Sequence, residues 1–196
     1  MKNVVYIDNR DSFADTIAAH FELAGAKVRM YKSNCSLDTI AQAQPDIILL
    51  GPGPNSPAEA GNYLQAINRF HAQYPIFGIC LGFQALMHYF GEKVVPLEEA
   101  VHGAFSQIQH TGTSFFEGIK SPAEFARYHS LGVYGVPESF NPLAQFPDSN
   151  GRNIIMAAQH KQLPLAGIQF HPESILSTNN GQGTKLIENV LKYLTK

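Results

Sequence analysis

Short, wholly apolar runs alternate with segments of helical periodicity through the first half of the chain, and few folds accommodate such a pattern. Val4 to Asp8 is apolar up to its terminal acid. Ser12 with Asp15 three residues on reads as a capping-box start to a helix. Phe13, Ile17, Phe21 and Ala24 then recur at helical spacing until Gly25 stops them. Val28 to Tyr31 predicts a second strand, Ser36 to Ala43 a helix, and Asp46 to Leu50 a third strand with an apolar interior. Gly51 to Pro57 is a Gly/Pro-rich loop, Ala58 to His71 a helix, Ile76 to Ile79 a fourth strand and Leu81 to Phe90 a further helix. Uninterrupted apolar strands suit parallel pairing with both faces buried. The expectation is an α/β fold, a central mostly parallel sheet flanked by helices, with ligands beyond the carboxyl ends of its strands.

The pattern changes after Phe90. Lys93 to Leu97, Ser106 to His110, Glu124 to Tyr128, Ile154 to His160 and Ala166 to Phe170 read as short strands broken by Gly and Pro, which predicts added antiparallel strands in the C-terminal half. Leu186, Ile187, Val190, Leu191 and Leu194 share one face of a closing helix over Thr184 to Leu194. With 196 residues the chain suits one domain, 1–196, rather than two.

Hydrophobic residues at 44% and charged residues at 15% are a folding composition, and a net charge of -2 gives no basic field for nucleic acid or anionic lipid. No apolar stretch approaches the roughly 20 residues of a membrane span. Met1 to Asp8 lacks the apolar core of a secretory leader, so a cytoplasmic location is expected. Two cysteines, Cys35 and Cys80, allow neither a disulfide framework nor a four-cysteine zinc site. Neither a metal nor an organic cofactor is expected.

Phe77-Gly78-Ile79-Cys80-Leu81-Gly82-Phe83-Gln84 carries the strongest chemical signal. An apolar strand ends in Gly-x-Cys-x-Gly and a helix begins at once, which is the cysteine form of a nucleophile elbow. The glycines permit a tight turn and close backbone approach, so the side chain between them projects into the crevice. A helix N-terminus favours a thiolate there, and the Leu81 N–H can donate to an oxyanion. The plainer reading of Cys80 is a small buried hydrophobe.

A nucleophilic cysteine needs a base. Of eight histidines, His171 stands at a strand end in Gln169-Phe170-His171-Pro172-Glu173-Ser174. Glu173, two residues on, would point to the same side in an extended segment and accept the second ring proton. Either residue alone would be read as a surface group. With the elbow they compose triad logic in another chain order. Gly51-Pro52-Gly53-Pro54-Asn55-Ser56-Pro57 opens into the same crevice, and its stiff backbone suits an oxyanion donor at Gly53. It lacks the ending of a nucleotide-binding P-loop.

Six blocks in order, Asp8-Asn9-Arg10-Asp11-Ser12-Phe13, the Gly-Pro-Gly-Pro loop, Gly78 to Gly82, His102-Gly103, Arg127-Tyr128-His129-Ser130-Leu131 and Gln169 to Ser174, strongly resemble class I glutamine amidotransferases. Within that family the resemblance is to the glutaminase subunit of anthranilate synthase and to its relative in aminodeoxychorismate synthase. It implies that Cys80 attacks the carboxamide of L-glutamine, that Leu81 and Gly53 hold the oxyanion, and that His171, oriented by Glu173, moves the proton. It also assigns Gln84, Ser130 and Leu131 to the amino-acid end of glutamine. The ammonia would pass to the large subunit of a chorismate-using synthase, most closely the anthranilate-forming one, with the aminodeoxychorismate-forming one, or both, as alternatives. The readings from other classes are a hydrolase of another amide or peptide and a catalytically silent regulatory subunit. Four residues depart from the family pattern: Arg10 for a common tyrosine, Asn55 for glycine, Phe83 for a frequent histidine and Ala104 for lysine.

Overall fold

The computed structural model describes residues 1–178 and 180–195. Its elements in chain order are β1 (Lys2–Asp8), α1 (Ala14–Leu23), β2 (Ala26–Lys32), α2 (Leu37–Gln42), β3 (Ile47–Leu50), α3 (Tyr63–Phe70), β4 (Ile76–Ile79) and α4 (Leu81–Tyr89). They continue with β5 (Val95–His110), β6 (Ala123–Gly132), β7 (Phe140–Pro147), β8 (Asn153–His160), β9 (Leu165–Ile168), α5 (Ile175–Thr178) and α6 (Gln182–Leu194). Nine strands form one sheet in the order β2-β1-β3-β4-β9-β8-β7-β5-β6. Pairing is parallel from β2 through β9 and antiparallel from β9 outward to β6.

Both faces of the parallel half are covered, as its apolar strands require. Alternate residues of β1 go to opposite sides. Val4 and Tyr6 join a core with Ile17 and Phe21 of α1 and Leu186 and Val190 of α6. Val5 and Ile7 join one with Ile67 and Phe70 of α3 and Leu86 of α4. All four residues of β3 are fully buried, and burying each such side chain is worth roughly 1.5–3 kcal/mol relative to exposure. Among the described residues no helix is long and apolar enough to cross a membrane.

Several expected elements take a different form. The helix read over Ala58 to His71 is divided into a 3-10 turn, Pro57–Glu59, and α3, because Gly61 adopts φ +56° between them. Ser12 does not cap α1. Phe13 occupies the cap position without a side-chain bond, and the preceding turn is held by Asp8 accepting from the Asp11 N–H and Asp11 accepting from the Phe13 N–H. Ser36 does cap α2, accepting from the Thr39 N–H at 3.2 Å. The strands read over Lys93 to Leu97 and Ser106 to His110 are the two ends of one bulged strand, β5, which passes through Gly103 at φ +76°. Strand β7 and helix α5 were not foreseen.

Strand order positions the site. β3, β4 and β9 are parallel neighbours, with Leu50 beside Gly78 and Ile79 beside Ile168. The segments that leave their carboxyl ends, the Gly51 loop, Cys80 and Gln169 to Glu173, therefore emerge side by side.

Candidate active site

Cys80 sits between β4 and α4 at φ +53°, ψ -103°, a conformation that costs a non-glycine residue about 1–3 kcal/mol. Its surroundings hold it there. Its N–H donates to the Ile168 carbonyl at 2.8 Å, and its carbonyl accepts the first helical bond, from the Gln84 N–H at 3.0 Å. The flanking glycines are required by close approach rather than by flexibility. A Cβ at Gly82 would stand 2.1 Å from the Leu50 carbonyl oxygen, and one at Gly78 would stand 2.4 Å from the Gly82 carbonyl carbon. The elbow is thus wedged against β3.

His171 follows β9 by three residues and bridges to Ala126 of β6, its N–H donating to the Ala126 carbonyl at 2.9 Å. Its own carbonyl accepts from Ser177 Oγ at 2.6 Å. The rings of Phe13 and Tyr128 pack on the imidazole at 5.3 and 5.1 Å. Its Nδ1 meets Glu173 Oε1 at 2.7 Å, with both side chains buried. The extended geometry expected of this pair is not what brings it together. Pro172 and Glu173 lie in a turn, and the carboxylate folds back onto the ring.

Burial alone would push the imidazole toward its neutral form, but the Glu173 carboxylate and the Cys80 sulfur outweigh it and hold the His171 pKa well above the usual histidine value. His171 Nε2 and Glu173 Oε2 are buried without a hydrogen-bond partner among the described residues. An imidazolium whose second nitrogen is uncommitted beside a sulfur can donate a proton to a leaving group formed there.

Two cavities meet at the cysteine. One of about 400 Å³ is lined by Gly53, Asn55, Cys80, Leu81, Gln84 and Ser130-Leu131, which gathers the expected oxyanion and glutamine-binding residues around one space. The Leu81 N–H belongs to the first turn of α4, where backbone donors lack intrahelical acceptors. The other cavity, of about 370 Å³, is lined by Arg10, Asp11, Phe13, His102, Tyr128 and His171 as well as Cys80. Ser130 is exposed, and Gln84 is buried with its Nε2 donating to the Leu131 carbonyl and to Gln169 Oε1, both at 3.0 Å.

The four departures fall in different places. Asn55 adopts φ +69°, a left-handed conformation that asparagine tolerates, and so keeps the loop of a glycine there. Arg10, at φ +62°, borders the second cavity. Phe83 is fully buried against Gly167 and belongs to the core. Ala104 lies exposed on β5.

Gln169 is the residue to which sequence reasoning gave no role. It is fully buried and its Nε2 reaches Cys80 Sγ at 3.5 Å. The available signal was one polar amide inside the apolar run Leu165 to Phe170.

The family described as glutamine amidotransferase class-I matches residues 5–192. Anthranilate synthase component 2 of Haemophilus influenzae is 41% identical over 99% of this chain and 98% of its own. Aminodeoxychorismate/anthranilate synthase component 2 of Bacillus subtilis is 39% identical over 98% and 97%, and aminodeoxychorismate synthase component 2 of Serratia marcescens 38% over 96% and 98%. The crystal structure of a GMP synthase subunit candidate from Thermoplasma acidophilum superposes with a TM-score of 0.84 at 20% identity, over 99% of this chain and 94% of that one, a likeness of fold.

Proposed function

This chain belongs to the class I glutamine amidotransferase family, and from that premise we propose that it hydrolyses L-glutamine at Cys80 and delivers the ammonia to the large subunit of a chorismate-using synthase. The observation that carries the reading is the buried His171–Glu173 pair, 2.7 Å apart, set against a strained elbow cysteine at the junction of two cavities. Glutamine enters the cavity of Gln84, Ser130 and Leu131, and the Cys80 sulfur attacks its side-chain carbonyl carbon. The N–H groups of Leu81 and Gly53 take the oxyanion, a use of fixed donors that needs no reorganisation as charge develops. As the tetrahedral adduct collapses, His171 gives its proton to the departing nitrogen and ammonia leaves. The glutamyl thioester remains on Cys80. Water, deprotonated by His171, then releases glutamate and restores the thiol. Glu173 keeps the ring oriented and balances its charge throughout.

Residues 1–196 act as one amidotransferase domain in this proposal, supported by the single continuous sheet and by the extent of the family match. The enzyme would work in the cytoplasm with a component I partner. The Haemophilus relative is named for anthranilate synthase, which favours the anthranilate-forming partner. The Serratia relative is named for aminodeoxychorismate synthase and the Bacillus one for both, which supports the second partner, or service to both. Purified chain mixed with each large subunit, chorismate and glutamine tests the choice through product formation and glutamate release. Stimulation by neither overturns the partner assignment.

A further inference from the structure

Amide orientation is ordinarily ambiguous, because oxygen and nitrogen look alike, but beside Cys80 each assignment is forced by its neighbour. Arg127 can only donate, and its Nε lies 3.0 Å from His129 Nε2. That imidazole nitrogen must therefore accept, which puts the ring proton on Nδ1, 2.9 Å from the Leu131 carbonyl. The same carbonyl, an acceptor only, faces Gln84 at 3.0 Å, so the Gln84 atom there is its nitrogen. That nitrogen also meets Gln169 at 3.0 Å, so the facing Gln169 atom is its oxygen. The Gln169 atom pointing at Cys80 Sγ, 3.5 Å away, is then the N–H donor.

We propose that Gln169 is a positioning residue for the nucleophile, its side-chain N–H holding the Cys80 sulfur and stabilising it as a thiolate, with Gln84 and the Leu131 carbonyl setting the orientation of that donor. The proposal rests on the reading of Cys80 as nucleophile. Gln169 is fully buried and does not line the glutamine cavity, so it acts through the sulfur rather than on the substrate. A fully buried polar amide is costly unless paired, and an apolar residue of the same volume would fill the space without that cost. A donor at sulfur favours the ionised over the neutral form, since bonds to charged acceptors are roughly twice as strong. The chain of bonds also ties the glutamine cavity to the nucleophile. Leu131 lines that cavity, and its carbonyl is the anchor from which the donor at the sulfur is oriented.

The test is the pH dependence of iodoacetamide alkylation, measured in a Cys35→Ser background that leaves Cys80 as the one thiol of the two in the chain. Gln169→Met keeps the volume and removes the donor. Its alkylation midpoint should rise by about one pH unit, with the rate at pH 7 about tenfold lower and the limiting rate at high pH equal to that of the parent. Gln84→Met, which leaves the donor but frees its orientation, should shift the midpoint in the same direction by less. In glutaminase assays of the complex, Gln169→Met should lower kcat more than it changes KM. An unchanged midpoint in Gln169→Met overturns the proposal. Should that variant fail to fold, Gln84→Met decides alone, and no shift in it overturns the proposal. Alkylation needs no glutamine, so variants that show these shifts from a parent that releases no glutamate with either synthase would overturn the proposed function and leave the positioning role standing.

Discussion

Glu173 Oε1 lies 2.7 Å from His171 Nδ1 because Pro172 and Glu173 turn the chain back on itself, while the His171 backbone stays bridged to Ala126. The ring is therefore oriented from two sides, by a carboxylate of its own turn and by a neighbouring strand. The bridge to β6 would survive loss of the carboxylate. His171→Ala should accordingly lower glutamine turnover of the complex by at least about 10³-fold, and Glu173→Ala by a smaller factor, about 10- to 100-fold. Steady-state glutamate release measures both. Equal losses, or a larger one for Glu173, would contradict the division of labour.

Cys80→Ser should fold as the parent does, since the side chains are close in size and the residue is buried at a backbone-defined elbow. A serine hydroxyl has no comparable ionised form at neutral pH, so glutaminase activity should fall by at least about 10³-fold. Amination of chorismate by the reconstituted complex supplied with ammonium salts should persist. Retention of more than a few per cent of glutaminase turnover would place the nucleophile elsewhere.

The elbow should tolerate no side chain at its glycines. In Gly82→Ala the new Cβ meets the Leu50 carbonyl oxygen at 2.1 Å, a backbone atom that cannot swing aside, and the loss in stability should reach about 3 kcal/mol. Gly91→Ala is the contrast. It has φ +103° but open space around it, so only the backbone strain remains, about 1 kcal/mol. Urea unfolding of the two proteins compares them directly, and equal losses would show that close approach is not what the elbow requires.

Much of this was legible in the sequence because it is local. Gly78, Cys80 and Gly82 lie within one strand-to-helix turn, so composition alone announces the elbow. The parallel half was legible because strands such as Ile47–Leu50 are buried on both faces and read as unbroken apolar runs. The middle of β5, between the two ends read as separate strands, was not, since most of the 16 residues of β5 are exposed and that stretch carries no alternation to mark a strand. β7 contains Pro142 and Pro147, which read as breaks. The pairing of His171 with Glu173 was anticipated for the wrong reason, because a separation of two residues suits an extended strand and a tight turn equally well. Gln169 meets Gln84 across 85 positions, and no local pattern encodes that contact.

Two histidines should give stability opposite pH slopes. His171 has a folded pKa well above its ordinary value of 6.5, with burial opposing and Glu173 and Cys80 favouring the proton. Its contribution is full below 6.5 and is lost as pH rises through the raised folded value. His129 is the reverse case. Burial first and Arg127 second lower it from 6.5 to about 3, so its contribution is full above 6.5 and is lost as pH falls toward 3. Each limb is limited to about 1.4 kcal/mol per pH unit. Denaturant unfolding across about pH 4 to 9 should show Glu173→Gln flattening the alkaline limb and His129→Gln the acid limb. The opposite assignment of limbs would refute both protonation states.

Partner binding should act through the second cavity. Phe13, His102 and Tyr128 line it together with Cys80 and His171, and the Tyr128 ring packs against Phe13 at 5.0 Å, against His102 at 5.4 Å and against His171 at 5.1 Å. Tyr128 is thus in contact both with exposed His102 on β5 and with the proposed proton carrier. It also precedes the His129-Ser130-Leu131 segment that borders the cavity proposed to take glutamine. A synthase that presses on the Asp11 to Phe13 turn and on His102-Gly103-Ala104 would move Tyr128, and with it both His171 and the wall of the glutamine site. A glutaminase left free of such control would release ammonia to solvent, and completion of a site by a conformational step is a common remedy. The isolated chain should therefore turn over glutamine at about a tenth or less of the rate of the complex. Phe13→Ala and His102→Ala should each cut the stimulation ratio several-fold, measured as glutamate release with and without saturating synthase. Full activity of the isolated chain would remove the need for gating, and an undiminished ratio in both variants would place the contact elsewhere on the surface.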